Sequence, residues 1–409
     1  MGEREMQQDL TRDWVVMKFG GTSVSSADHW GTICQQAESH LQDKKHVMVV
    51  VSARSGVTNR LTRLCSGIDR DEQSALLSEL RDLHLSLFSE LGLEVSALFE
   101  QYWSELANLV KEPGVHLAPG HKALVLAHGE LLSSAIGQQA LVAAGLESCW
   151  QDARELLSAA AGSVTDPLSV RCDDHADKAL EARLAATGRV HITQGFIVSG
   201  PGGKTCLLGR GGSDTSAAYL AARLSAARLE IWTDVPGIFS ADPRTVPEAR
   251  LLRRLSYNEA QELASMGARV LHPPSIQPAQ KHEVPVHIRD TSRPDQAGTC
   301  IGNRPAGEEA QVKGVVSREN ITLISMENPS MWRQSGFLAD AFSVFKRHGF
   351  SVDLVSTSES TVTVSLDPQF PAHQDAGNLS SFLAELRQLC EVSVHNGCMS
   401  ISLVGNSIR

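Results

Sequence analysis

The first patterned stretch is WVVMKF, residues 14–19, apolar throughout except for Lys18. Four comparable runs follow: HVMVVVSA (46–53), RVHITQGFIV (189–198), LEIWTDV (229–235) and VPVHIRD (284–290). Such β-branched, near-continuous runs predict strands covered on both faces. Helical periodicity separates them over 30–42, 76–91, 123–144 and 213–226. This alternation predicts an α/β fold, an αβα sandwich with a mainly parallel central sheet. Ligands in such sheets bind at the carboxyl ends of strands, where Lys18 falls.

The stretch 293–312, RPDQAGTCIGNRPAGEEAQV, is rich in glycine, proline and charge and reads as a boundary. Beyond it come a strand (ITLISM), an amphipathic helix closed by Gly349, a hairpin (SVDLVSTSE, TVTVSLD), a second helix (LSSFLAELRQLC) and a strand (EVSVHN). That order, βαββαβ, predicts an α+β ferredoxin-like unit. CMSISLVGN reads as the start of one more strand, and 312–317 as a further one. The expected division is a loose polar tail over 1–13, an α/β domain over 14–305, a ferredoxin-like unit over 306–397, and a lone strand over 398–409.

The net charge of -10 argues against a nucleic-acid partner, which calls for a basic face. Eight scattered cysteines form no CxxC pair, and the N-terminus carries no secretory pattern, so a reducing cytoplasm is expected. His128, Glu130, Gln138 and Gln139 interrupt the longest apolar stretch, 123–146, which predicts a buried helix rather than a membrane span.

Three segments suggest chemistry. MKFGGTSV (17–24) puts a lysine, two glycines and two hydroxyls directly after a strand. Either it is an anion site, with backbone N–H groups of Gly20 and Gly21 aimed at phosphate, or a tight turn beside a snorkelling lysine. LLGRGGSDTSAAYLAARL (207–224) brings Arg210 and two glycines to a helix N-terminus. Capping accounts for Ser213 and Asp214, with Ser213 as the N-cap, but not for the arginine and glycines, so an anion or substrate site is favoured. IWTDVPGIFSADPRT (231–245) places polar residues after another strand, although turn chemistry alone explains Pro236 and Gly237. Glu130 lies in an otherwise apolar helix. It is either exposed on one face or paired with a cation, for which a ligand ammonium would serve.

KFGGTSV, SARSGVTN, HGELLSS, TQGF, GRGGSD, WTDVPGI and GARVLHP, in this order and spacing, resemble aspartokinase. The resemblance covers 16–405 and includes a C-terminal unit similar to an ACT regulatory domain. It implies an amino-acid kinase fold and transfer of the ATP γ-phosphate to the β-carboxylate of L-aspartate, the first step toward lysine, threonine and methionine. By this resemblance Lys18 and Asp214 are catalytic. Ser52, Thr58, Glu130, Phe196, Arg210, Gly211, Gly212, Ser213 and Asp214 hold aspartate. Lys18, Gly20, Gly21, Thr22, Ser23, Thr233, Asp234, Phe239, Arg244, Arg269 and Val270 hold ATP. Magnesium arrives with the nucleotide, and no dedicated protein metal cage is expected.

The resemblance also implies amino-acid feedback, lysine before threonine, at Met331, Gln334, Phe337, Leu338, Ser351, Val352, Asp353, Ser358 and Glu359 between paired ACT units of a homodimer. Three departures stand out. Arg269 occupies a place where relatives carry lysine. Phe239 occupies one where they carry tyrosine. Only the first strand of a second ACT unit is recognised, in 398–405. Two other classes compete: an amino-acid sensor on an inactive kinase scaffold, and a sister kinase acting on glutamate or a nucleotide monophosphate. The presence of Lys18, Arg210 and Asp214 disfavours the first, and GRGGSD the second.

Overall fold

A computed structural model describes residues 12–111, 118–267, 270–303, 311–331, 335–366, 376–406 and 408. The chain divides into two compact units, Met1–Gly314 with Val404–Arg409, and Val315–Leu403.

The first unit begins with β1 (Trp14–Phe19), α1 (Ala27–Gln42), β2 (His46–Val51), α2 (Val57–Leu64), α3 (Arg70–Glu90), α4 (Ala97–Lys111) and α5 (Pro119–Ala143). Next come β3 (Ser148–Gln151), α6 (Ala153–Leu156), α7 (Lys178–Thr187), β4 (Val190–Gln194), β5 (Ile197–Ser199), β6 (Thr205–Leu207) and α8 (Gly212–Arg223). It closes with β7 (Arg228–Thr233), β8 (Arg254–Ser256), α9 (Tyr257–Met266), α10 (Pro273–Lys281), β9 (Val286–Asp290) and β10 (Thr299–Gly302). Eight strands form one sheet in the order β3-β4-β2-β1-β7-β9-β10-β8. The pairings from β3 through β9 are parallel; β10 runs antiparallel to β9 and parallel to β8. The mainly parallel sandwich is therefore present.

Side-chain alternation along β1 sets the chemistry of the unit. Val15, Met17 and Phe19 enter the large core built with Trp30 and Ile33 of α1 and with α5. Lys18 points the other way, toward α8, and the period of two thus delivers its amine to Asp214.

Local outcomes differ from the periodicity in several places. The run 189–198 breaks into β4 and β5 because Phe196 takes a left-handed backbone, φ 68°, between them. Ser213 is not an N-cap: Gly211 takes that position with φ 69° and no side-chain cap. A Cβ on Gly211 would stand 2.4 Å from the His272 ring, so this turn requires glycine.

The second unit contains β11 (Gln311–Glu327), α11 (Phe337–Arg347), β12 (Val352–Thr357), β13 (Thr361–Leu366), α12 (Ala376–Leu386) and β14 (Glu391–Asn406), the two long strands reaching past its bounds into the first unit's residues. Its sheet order, β12-β13-β11-β14, is the ferredoxin-like one, over a core that includes Phe337, Phe345, Phe350 and Phe382. Two expectations are corrected here. EVSVHN and CMSISLVGN form a single strand, β14, so the run from 398 does not open a separate one. Residues 312–317 and ITLISM are likewise continuous in β11. In each case the strand continues through the intervening polar residues, although a left-handed residue there, Asn320 or Gly397, interrupts the alternation.

Candidate active site

The carboxyl end of β1 leads into a close-packed loop. The Gly20 N–H donates to the Trp232 carbonyl at 3.2 Å. A Cβ on Gly20 would lie 3.6 Å from Lys18 Nζ, and one on Gly21 only 2.7 Å from the Ala53 carbonyl oxygen. Gly21 therefore lets the loop after β1 press against the loop after β2. Ser55 N–H donates to the Gly21 carbonyl at 3.2 Å and completes the contact. Arg54 fixes it from behind: this buried guanidinium donates to the Ser25 carbonyl at 2.9 Å and to that of Leu83. Thr22 is exposed on the same loop. Ser23 is buried, with its hydroxyl 2.7 Å from that of Thr291 and facing the Trp232 carbonyl.

Lys18 Nζ lies 2.5 Å from Asp214 Oδ1, in the first turn of α8. Both side chains are largely shielded, at 11% and 15% exposure, so the pair is screened little by solvent. Glu130 of α5 approaches the same region. It is buried, and its Oε2 has no hydrogen-bond partner. Burial pushes its carboxyl up to about 8, against backbone hydrogen bonds at Ala53 and Glu130 and the charge of Lys18. An unpartnered buried carboxyl oxygen beside a lysine–aspartate pair is the arrangement that an arriving ammonium would complete.

The GRGGSD turn closes the site. Phe196 donates its N–H to Ser216 Oγ at 2.8 Å, and its ring would lie 2.4 Å from a Cβ on Gly212. Gly195 and Ser213 touch similarly: a Cβ on Gly195 would fall 2.5 Å from that of Ser213. Arg210 is exposed. His272, absent from the motif reading as a functional residue, lies against Gly211, and its buried Nδ1 has no partner. Burial lowers its imidazole pKa, opposed by the charge of Asp214 and aided by that of Arg210. The GARVLHP motif names His272, but only the fold places its ring on the glycine turn.

Other expected residues sit further out. Ser52 follows β2, with its N–H on the Phe19 carbonyl at 3.1 Å, and Thr58 is exposed in the first turn of α2. Thr233 donates to Asp234 at 3.1 Å at the end of β7. Phe239 and Val270 are half-buried. Arg244 is 76% exposed and forks onto Asp242 at 2.8 and 3.0 Å. Arg269 lies outside the described residues.

In the second unit, Asp353 pairs with Arg318 at 2.5 Å, Ser358 accepts the Thr361 N–H at 3.1 Å, and Glu359 is exposed. Phe337 is buried in the core rather than open to a ligand, while Leu338 is exposed. Met331 and Val352 pack half-buried against that core, and Ser351 is half-buried. Gln334, with Arg333, lies outside the described residues.

The only three-residue His/Cys/Asp/Glu cluster of metal-ligating geometry among the described residues is Asp173, Asp174 and His175, away from this site. Lys281 occupies Asp174 at 2.7 Å. No described helix is long and apolar enough to cross a membrane.

Comparison with known proteins agrees with this geometry. Residues 13–290 match the model of the amino acid kinase family. The chain is 34% identical over 401 residues to the lysine-sensitive aspartokinase 3 of Escherichia coli K12, covering 96% of this chain and 87% of that one. It is 30% identical to the chloroplastic aspartokinase 3 of Arabidopsis thaliana, over 96% of this chain and 72% of the relative. The crystal structure of E. coli aspartokinase III with aspartate and ADP aligns with a TM-score of 0.78 at 32% identity, over 96% of this chain and 88% of that one. Its complex with lysine and aspartate aligns at 0.77, over 97% and 88%.

Proposed function

This chain belongs to the amino acid kinase family and, within it, to the aspartokinases; from that premise we propose how its residues carry the γ-phosphoryl group of ATP to the β-carboxylate of L-aspartate. The observation that carries the reading is the Lys18–Asp214 pair at the end of β1, beside the unpartnered oxygen of Glu130. A carboxylate is already nucleophilic, so no general base is needed, and catalysis reduces to positioning and charge neutralisation.

The ammonium of aspartate goes to Glu130. Its α-carboxylate goes to Arg210, whose planar fork suits it. Ser52, Thr58, Phe196 and the Gly211–Gly212–Ser213 turn shape the rest of the pocket. Lys18 leaves Asp214 for the transferring phosphoryl oxygens and stabilises charge there, while Gly20, Gly21, Thr22 and Ser23 form the phosphate side. Thr233, Asp234, Phe239, Arg244, Arg269 and Val270 take the nucleotide. With Glu130 given to the substrate ammonium, Asp214 is the carboxylate left at this centre, a donor set that fits magnesium held chiefly by phosphates and water. Bound so, the ion neutralises phosphate charge.

Feedback by lysine belongs to the same reading, supported by the lysine-sensitive E. coli relative and its lysine complex. Asp353 would then exchange Arg318 for the effector ammonium. Homodimerisation through the second unit is supported by its two edge strands, which expose Leu354 and Val355 on β12 and Met399, Ile401 and Leu403 on β14. A division at 14–305 and 306–397, with the run from 398 carried on in β14, and a cytoplasmic location suggested by eight free cysteines, complete the proposal.

The test is ADP release with ATP and magnesium, comparing L-aspartate with L-glutamate in wild type and Lys18→Ala. We expect activity with aspartate only, and a turnover loss of about 10²–10³ with little change in the apparent KM for ATP. Near-normal turnover in the variant would remove Lys18 from the chemistry.

A further inference from the structure

A cleft of about 350 Å³ opens between α4 and α5, on the side of α5 away from Glu130. His128 lines it two residues before Glu130, and residues two apart point to opposite faces of a helix. Leu109, Leu124 and Leu131 give it apolar lining, and Arg154 and Thr205 line it as well.

His128 is only 3% exposed. Its Nδ1 lies 2.8 Å from the Leu124 carbonyl, one turn earlier. A carbonyl only accepts, so Nδ1 carries the hydrogen and Nε2 presents a bare lone pair. That Nε2 is shielded from solvent and has no hydrogen-bond partner. It faces Glu105 Oε2 across 3.9 Å, and the other Glu105 oxygen accepts from Gln101 at 3.0 Å. Two acceptors thus confront each other with no hydrogen between them. Burial also lowers the imidazole pKa, which keeps the ring neutral.

Arg154 does not supply the missing donor. Its Nε and Nη2 fork onto Asp152 at 2.6–3.1 Å, and its Nη1 donates to Thr205 Oγ1 at 3.1 Å. Asp152 takes its fork, so Arg154 reaches the Glu105 carboxylate only through space and gives it no hydrogen bond. The occupant that fits must donate hydrogens, carry positive charge, and bring an aliphatic stem for the leucines.

We propose that this cleft is a second ligand site, which takes a small alkylamine with its ammonium between His128 Nε2 and Glu105 Oε2. An ammonium has three donors and no acceptor, so it satisfies both groups at once. The site shares no residue with the aspartate pocket.

The probe is 1,5-diaminopentane, with pentane-1,5-diol as the uncharged control of equal length. Binding is read by calorimetry and by the imidazole resonances of His128 in labelled protein. Saturable binding of the diamine, with a shifted His128 resonance and no response to the diol, is expected. Glu105→Gln should weaken it by about tenfold or more, the scale of a charged hydrogen bond. Because Glu105 is half-exposed, this variant should fold and keep the wild-type turnover with aspartate. His128→Phe should abolish the remainder. Absence of saturable binding up to about 10 mM diamine, where one weak ionic contact already registers, would overturn the site. So would equal affinity in Glu105→Gln, or equal binding of the diol.

Discussion

Of the glutamates buried in the first unit, Glu230 and Glu130 have surroundings that could hardly differ more. Glu230 of β7 is 1% exposed and fully engaged. Arg228 Nε donates to it at 2.8 Å, Trp232 Nε1 at 3.0 Å, and His40 Nε2 of α1 stands 3.2 Å away. Burial alone would raise its carboxyl. The hydrogen bond and charge of His40, with the charges of Arg228 and Arg289, outweigh burial and hold it well below the ordinary value. Glu130 of α5 is 5% exposed and keeps one oxygen without a partner, so burial wins and the carboxyl rises to about 8. A buried carboxylate with its full set of donors ties a strand to a helix. One left short of a donor, at the strand ends, is poised for a ligand.

The largest effect that would test this contrast is in Glu230. Glu230→Ala strands Arg228 and His40 together in the interior. A loss of about 3–5 kcal/mol in urea unfolding is expected, as for one partner of a buried ion pair. The apparent KM for aspartate in the folded fraction should stay as it was. A loss below about 1 kcal/mol would mean the cations find water, and Glu230 would cease to be a structural tie.

Glu130→Gln should act in the opposite sense. The aspartate KM should rise by about 10–150-fold, the range of one hydrogen bond to a charged group. Unfolding stability at neutral pH should be equal or higher, since glutamine is spared the cost of taking up a proton on folding. The pH dependence follows from the direction of the shift. The folded carboxyl titrates near 8 and the unfolded one near 4.5, so between these values the folded chain holds a proton that the unfolded chain releases. Stability of the ligand-free enzyme should therefore fall as pH rises through that window. In Glu130→Gln this component should vanish. An unchanged slope in thermal melts from pH 5 to pH 8 would show that Glu130 is ionised at rest.

The contrast was only half legible in the sequence. Glu130 stands out because VLAHGELLSS is apolar or small apart from it and His128, and a lone carboxylate there demands a partner. Glu230 sits in LEIWTDV, an equally plain strand, but its partners come from an element 190 residues earlier and from the next alternate positions of its own strand. Pairing across the sheet is a tertiary fact, not a pattern. The same limit hid His272 on the glycine turn and Nε2 of His128 facing Glu105. The short strands β3, β8 and β10 went unread because three or four mixed residues carry too little alternation. Long β-branched runs, by contrast, announced β1, β2, β4, β7 and β9, and with them the strand ends where Lys18 and Thr233 lie.

Arg210→Lys tests the substrate side at a smaller scale. A point charge keeps the attraction and loses the bidentate geometry, so the aspartate KM should rise by about tenfold while that for ATP moves little. Movement of the ATP constant instead would exchange the two proposed subsites.

The smallest effect is expected at the rim of the Glu230 cluster. Arg289 lies half-buried, with its guanidinium 5.5 Å from the centre of the Trp232 ring, and acts on Glu230 through space rather than by a hydrogen bond. One of its nitrogens reaches the Pro294 carbonyl at a long 3.4 Å. Arg289→Gln removes the charge and the ring contact but leaves every donor to Glu230 in place. Partly solvated charges and exposed cation–π contacts are each worth about 1 kcal/mol or less. Urea unfolding should therefore register a loss no larger than that, several times smaller than in Glu230→Ala. The loss should also shrink in high salt, because screening acts on Arg289 and not on the enclosed Arg228–His40–Glu230 contacts. A salt-independent loss approaching that of Glu230→Ala would place Arg289 inside the tie, and the carboxylate would then depend on field from the neighbouring strand β9 as much as on its three direct partners.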